Sequence, residues 1–412
     1  MSDSRLGVLL PGLGAVASTL IAGVIAARRG LAEPVGSLTE TGHLDGTPMR
    51  DALGMPALDD LVFGGWDPYP VTAFDAARRS RVLDEALLEK VAPELLEVRA
   101  MPAVFDAAWV PALSDATHVK NGATHLDRAE QLRDDIRSFK SEHHLGRVVA
   151  VWTASTEAYC EPGPAHQSLA GFEAALAADD PSIAPSQVYA YALLQEGVPV
   201  ANGSPNLMFD FPAMRELAAT NGVPVAGRDF KTGQTLVKTA IAPMLAARML
   251  GVNGWFSTNI LGNLDGKVLR DEANFRAKEV TKSGVLESIL DAETHPELWG
   301  DIDHLVRINY YRPRGDDKEG WDNIDLFGWL GYPMQLKIDF LCRDSILAAP
   351  LVLDLARLLD LASRSGDNGA IDWLGFYFKE PMRRNPHERA VHDLFEQERI
   401  LFDALRRVSA GG

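Results

Sequence analysis

Residues 6–29 constrain the fold of this chain more than any other stretch. Leu6 to Leu10 is an unbroken apolar run, the pattern of a strand buried on both faces. Pro11-Gly12-Leu13-Gly14-Ala15-Val16-Ala17-Ser18 comes next, then a helical pattern to about Arg29. Strand, glycine turn and helix in that order are the context of a Rossmann phosphate loop, though a plain strand-to-helix turn shows the same order. Gly12 would allow the tight turn, Gly14 would let the backbone approach a pyrophosphate, and Ala17 would keep helix and strand close. The small apolar run Leu13–Ala27 is too short for a membrane span and lacks the basic flank of a leader. It is read as the helix after the loop, and the cytoplasm is the expected location.

Other strand-like runs end in the same manner. Leu61-Val62-Phe63-Gly64-Gly65-Trp66-Asp67 closes on an aspartate, where the acidic residue usual about twenty positions after the loop is missing. Val148–Trp152 leads into Thr153-Ala154-Ser155-Thr156-Glu157, and Val198–Ala201 into Asn202-Gly203-Ser204-Pro205-Asn206. In an open parallel sheet such carboxyl ends line the ligand crevice. The expected fold is therefore α/β.

At 412 residues the chain has room for two domains, or for one large domain with an insertion. Its formal net charge of −17 argues against nucleic acid and anionic membranes as partners, since both select a basic face. An anionic substrate would need a local cluster of cations against that background. The 2 cysteines, Cys160 and Cys342, support neither a disulfide framework nor a cysteine metal site.

Residues 227–283 supply the cations. A short apolar strand ends in Arg228-Asp229-Phe230-Lys231-Thr232-Gly233-Gln234-Thr235, and a helical pattern begins there. Backbone N–H groups at a helix start, with a lysine, suit a phosphate. The strand Val252–Phe256 leads into Asn259-Ile260-Leu261-Gly262-Asn263-Leu264-Asp265-Gly266. Lys278 and Lys282 then sit four apart on one helix face. After Thr235 longer, alternating strands appear, as in Val306–Tyr311 and Met334–Cys342, so an inserted α+β domain is expected over about 236–347. The flanking 1–235 and 348–412 form the Rossmann-type part, helped by a helix from Ser345 to Ser363. A last, charged helix is expected from about Pro386 to Arg407.

The blocks GRDFKTGQT, NILGNLDG and FRAKEVTKS stand here in order and within about sixty residues. They closely resemble GDDFKSGQTK, NHLGNNDG and FRSKEISKS of the myo-inositol-1-phosphate synthase family, bacterial type. The resemblance runs from Gly12 to about Pro381. It takes in Gly36–Glu40 (GSLTQ in the family), Gly64–Asp67 (GGWD), Thr153–Glu157 (TANTE), Gly315–Lys318 (GDSK), Cys342–Ser345 (CEDS), and the lysine-proline segment Tyr377–Pro381.

The resemblance implies a cofactor, a substrate and a set of site residues. The cofactor would be NAD, held by Gly12, Gly14, Ala15, Val16, Ser18, Asp67, Thr153, Ala154, Ser155, Thr156, Gly203, Ser204, Asp229, Asn263, Asp265, Asp316 and Ser345. Asp67 would take the adenosine ribose hydroxyls. Thr232, Gly233, Gln234, Lys282 and Lys318 would hold the substrate phosphate. Lys278, Lys282, Lys318, Lys379, Asp229 and Asp344 would form the catalytic set, with Lys278 and Lys379 for proton transfer and oxyanion stabilisation. The reaction would turn D-glucose 6-phosphate into 1L-myo-inositol 1-phosphate, feeding inositol and phospholipid synthesis. Hydride leaves C5, the resulting ketone acidifies C6, the enolate attacks the C1 aldehyde, and the hydride returns. A monovalent or divalent cation could assist, and the inserted sheet would form the core of a homotetramer.

Some positions depart from the family pattern. The glycine loop is about one residue shorter than GLGGNNGST, Ser155 replaces an asparagine, Arg228 replaces an acid, and Ile260 and Leu264 replace polar residues. They keep open a synthase for another cyclitol phosphate. A simple NAD-dependent sugar-phosphate dehydrogenase fits less well, because it would not need so many lysines around one phosphate.

Overall fold

Four strands of the larger sheet form from the apolar runs that end at Leu10, Asp67, Trp152 and Ala201. The computed structural model describes residues 5–262, 268 and 285–410. The strands of its two main sheets are β1 Leu6–Pro11, β2 Leu61–Asp67, β3 Met101–Pro102, β4 Arg147–Trp152, β5 Val200–Asn202, β6 Pro224–Gly227, β7 Gly251–Leu261, β8 Asp303–Tyr310, β9 Asp317–Phe327, β10 Pro333–Arg343 and β11 Gly369–Ala370. Four helices frame the site: α1 Ala15–Arg28, α2 Gly233–Ala247, α3 Asp344–Arg364 and α4 Leu394–Ala410.

The larger sheet runs β11-β6-β5-β4-β1-β2-β3, and all its pairs are parallel. The chain steps outward from β1 to β2 and β3, then returns to β1's other side with β4. The loops after β1 and β4 therefore leave the sheet side by side, which is the topological switch point where ligands bind. β1 is buried along its whole length, as its unbroken apolar run requires. One face is covered by α1 and α3, the other by helices within 125–220.

The smaller sheet runs β8-β7-β9-β10, with β9 antiparallel to both neighbours. Its inner face places Trp255, Ile324 and Leu326 against Ala242 and Leu245 of α2. Its strands alternate as their sequences do: β8 and most of β10 are exposed at every second residue. α3 begins directly after β10 and carries the chain back under the larger sheet. Asp354 of α3 anchors the chain near residue 38, accepting from Ser37 Oγ (2.7 Å), Leu38 N–H (2.8 Å), Thr39 N–H (2.9 Å) and Thr39 Oγ (2.7 Å).

Two expectations change. The strand expected over Val252–Phe256 runs to Leu261, because β8 and β9 pair with its full length. The last helix starts at Leu394, not near Pro386. Asp393 Oδ1 accepts from the Phe395 and Glu396 N–H groups (2.9 and 3.2 Å) and so caps that start.

Candidate functional site

The glycine loop has the shape its sequence demands. Gly12 sits at φ +89°, and a Cβ there would lie 2.4 Å from the Ala154 backbone. Both the conformation and the space exclude a side chain. Gly12 and Leu13 N–H donate to the Trp66 carbonyl (2.8 and 3.2 Å), tying the loop to β2. Gly14 differs, since a Cβ there would meet nothing within 4 Å. It opens on free space before the first turn of α1, which has no side-chain cap. Uncapped N–H groups facing open space suit an anion.

A cleft of about 260 Å³ starts at this loop. Gly12, Gly14, Ala15, Val16, Asp67, Ala154, Ser155, Thr156, Gly203, Ser204, Ser345 and Lys379 line it. Thr153 lines it too, but its hydroxyl braces the loop by donating to the Pro11 and Gly12 carbonyls (3.1 and 2.9 Å). Ser18 is not among the lining residues. Its hydroxyl is buried and turned back to the Ala15 carbonyl of its own helix (3.3 Å). Asp316 does not line the cleft; it accepts from the hydroxyl of Ser345, which does (3.2 Å). At Gly203 a Cβ would fall 2.1 Å from the Phe230 ring, so the loop after β5 packs directly on the segment 228–232.

Burial pushes the Asp67 carboxyl up to about 6, partly opposed by the Tyr69 N–H (3.1 Å) and by Arg79. Glu157, given no site role from the sequence, is also buried and lines the cleft. Burial raises it to about 7 although Ser186 donates both its N–H (2.8 Å) and its hydroxyl (2.5 Å).

The far end of the cleft is built from segments distant in sequence. Residues 227–231 and 377–382 run alongside one another through backbone bonds, including Lys379 N–H to the Asp229 carbonyl (2.7 Å) and Lys231 N–H to the Tyr377 carbonyl (2.8 Å). This pairing brings Lys379 Nζ to 3.1 Å from Asp229 Oδ1, with both side chains buried. Asp229 Oδ2 is buried and has no hydrogen-bond partner among the described residues. An orphaned buried acceptor in a cleft marks a place for a ligand donor.

A smaller cavity adjoins this end, lined by Thr232, Gln234, Thr235, Lys238, Lys318 and Lys379 among others. Thr232 is the uncapped N-cap of α2, and Gly233 begins the helix at φ +59°. Lys318 lies so close that a Cβ on Gly233 would be 3.2 Å from its Nζ. Asp344 orients that lysine with a 2.8 Å ion pair. The Gln234 side chain is turned away from the helix start. Its amide donates to the Thr258 and Trp321 carbonyls and to Asp322 (3.1, 3.0 and 3.1 Å), and its oxygen accepts from Asn259. Only its backbone N–H remains for an anion. Lys278, Lys282, Asn263 and Asp265 lie outside the described residues.

The family model described as myo-inositol-1-phosphate synthase, an NAD-binding family, matches residues 6–406. The chain belongs to that family. It is 50% identical over 414 residues to an inositol-3-phosphate synthase 1 of Bacteroides thetaiotaomicron, covering 99% of this chain and 96% of the relative. The human inositol-3-phosphate synthase 1 is 34% identical over 444 residues, covering 98% and 78%. The crystal structure of inositol-3-phosphate synthase from Caenorhabditis elegans superposes with a TM-score of 0.92 at 28% identity, over 98% of this chain and 86% of that one.

The geometry fits the dinucleotide of this NAD-binding family. The space before Gly14 and α1 admits a pyrophosphate, and Asp67 stands at the end of β2 where ribose hydroxyls would be met. Asp229, Ser345 and Lys379 then face the end where chemistry would take place.

Proposed function

We propose that this chain cyclises D-glucose 6-phosphate to 1L-myo-inositol 1-phosphate. One observation carries the placement: the described lysines Lys318 and Lys379 converge on the uncapped start of α2 at the inner end of the glycine-loop cleft. The family and its synthase relatives support the reaction. The phosphate sits against the N–H groups of Gly233 and Gln234 with Thr232 and Lys318 beside it, a position where helix dipole and ammonium act together. The Thr232 N–H itself donates to the Phe230 carbonyl (3.0 Å). Lys282 joins it by the resemblance of its block.

The bound nicotinamide supplies the acceptance and return of hydride. The residues do the rest. Lys379, buried and held by Asp229, faces the oxygen that becomes carbonyl and then enolate, where a preorganised cation is worth most. Lys278 moves the proton at C6 in this scheme. Lys379→Met should lower kcat by about 10²–10³-fold with the phosphate site intact, the scale typical of one lost oxyanion donor. Lys318→Met should act mainly on KM. The reverse pattern would exchange the two roles.

The same reading divides the chain into 1–235 plus 348–412, which binds NAD, and 236–347, which carries catalysis and assembly. A homotetramer is supported by the bare apolar tip between β9 and β10, where Trp329 is 88% exposed and Leu330 77%. No described helix is long and apolar enough to cross a membrane, and a cytoplasmic location remains part of the proposal. An activating cation rests on the resemblance alone, since no cluster of three or more potential ligands occurs among the described residues.

The deciding experiment is incubation with NAD⁺ and glucose 6-phosphate, with the product identified by NMR. Formation of inositol 1-phosphate supports the reading. Formation of another cyclitol phosphate from another sugar phosphate would replace it.

A further inference from the structure

Lys238 has no role in the proposed reaction, yet it lines the same cavity as Lys318 and Lys379. It lies four residues after Gln234 on α2, hence on the face turned to the smaller sheet. Its side chain is buried, with its ammonium 5.8 Å from the Trp255 ring centre. It makes a 2.7 Å hydrogen bond to His304 Nε2 of β8. The lysine is the donor and the imidazole accepts, so His304 is neutral there. Burial and the nearby lysine hold His304 down at about 4.

A buried ammonium bonded to a neutral ring is poorly compensated. Among the described residues no carboxylate lies within ion-pair distance of it. Asp322 of β9 is, among the described residues, the carboxylate that acts on it, but its oxygens already accept from Trp255 Nε1 (2.8 Å), Ser257 Oγ (2.5 Å) and Gln234 Nε2 (3.1 Å). The other titratable groups lining the cavity, among the described residues, are Lys318 from β9 and Lys379 from the loop after Tyr377, both cations; β7 contributes the neutral Trp255 and Asn259. Lys318 pairs with Asp344 and Lys379 with Asp229, while Lys238 has no ion-pair partner among the described residues.

We propose that Lys238 is a positioning residue of the sugar-phosphate site: paired with His304, it takes up a proton when a phosphate dianion binds at the start of α2. The inference rests on placing the substrate phosphate at that helix start. Burial lowers Lys238 to about 8, so at slightly alkaline pH part of the free protein carries a neutral amine there. A dianion nearby favours the charged form, and the proton comes from solvent to Nζ. Binding is then linked to protonation. It strengthens as pH falls from about 10 towards 8, where the lysine becomes charged without cost to the complex. The phosphate, whose second pKa is about 6, remains a dianion throughout that window.

The test is calorimetric titration of the NAD-loaded full chain with glucitol 6-phosphate, which lacks the C1 aldehyde and cannot close a ring. Two buffers of different ionisation enthalpy at about pH 8.5 count the protons taken up. The wild type should take up a measurable fraction of a proton per site. Lys238→Met should lose that fraction and bind about tenfold more weakly near pH 7.5, the equivalent of one unit in a lysine's pKa. The gap should close towards pH 10. If Lys238→Met fails to bind NAD, and so has not folded, His304→Phe serves instead. Removing the acceptor should move proton uptake to lower pH. Wild-type proton uptake and affinity in the variant that folds would overturn the proposal and leave Lys238 a packing residue. Binding by the wild type without proton uptake would also overturn it, while sparing the phosphate placement. No binding by the wild type would overturn both.

Discussion

At the scale of single residues, Gly12 and Gly14 look alike in sequence but have different constraints. Gly12→Ala puts a methyl against the Ala154 backbone at a positive φ, and should cost about 1–3 kcal/mol of stability in a denaturant titration. Gly14→Ala should leave stability nearly unchanged but weaken NAD, because its methyl enters the space left for the pyrophosphate. Equal effects on folding would contradict this division. Asp67 gives a prediction in pH. Its carboxyl titrates near 6 in the free protein, and the ribose hydroxyls need the ionised form as acceptor. NAD affinity should therefore hold above pH 6 and fall as pH drops through it, and Asp67→Asn should flatten that profile. NADP should bind more weakly than NAD, since a 2′-phosphate would meet a carboxylate. The sequence made Gly12, Gly14 and Asp67 readable because their roles follow from local backbone and strand ends. It did not reveal that Ser18 points into its own helix, or that Gln234 spends its side chain on the smaller sheet. Those directions depend on what lies across from the residue.

At the scale of elements, the signature loop is fastened to α4 by a buried lysine. Lys231 donates to Gln397 Oε1 and lies 5.5 Å from the Phe376 ring centre, while Gln397 Nε2 donates to the Gly375 and Val391 carbonyls (3.1 and 2.6 Å). Burial lowers Lys231 to about 7 from 10.5. Between those values the unfolded chain binds more protons, so this residue makes stability rise with pH across that window. Lys231→Met should remove that slope from melts taken at pH 7 and 9. Gln397→Leu leaves the buried Lys231 amine without its acceptor and should cost about 1–3 kcal/mol. A wild-type slope in the methionine variant would show that Lys231 is hydrated rather than buried. Helical charge patterning made α4 legible as a surface or interface element, and part of it is. Its Gln397 works in the interior, 166 positions from its lysine, a separation that periodicity cannot report.

At the scale of the whole molecule, two sheets meet at the start of α2. The larger sheet brings the ends of β1, β2, β4 and β5 to one cleft, and the smaller brings Lys318, Asp322 and His304 to the far side of the helix. Strand ends made the first half of the site readable from sequence. The second half depends on pairings such as Lys238 with His304, 66 residues apart, which only the register of β7, β8 and β9 creates. In the proposed reaction, the site between these sheets removes a hydride from a sugar phosphate and returns it before product leaves. The most direct measurement of that is turnover of glucose 6-phosphate with NAD⁺ far below substrate concentration, following absorbance of NADH and the product by NMR. The proposed reaction predicts many turnovers to inositol 1-phosphate with no steady accumulation of NADH. NADH formed in step with substrate consumed, and no cyclitol among the products, would contradict it and leave a dehydrogenase.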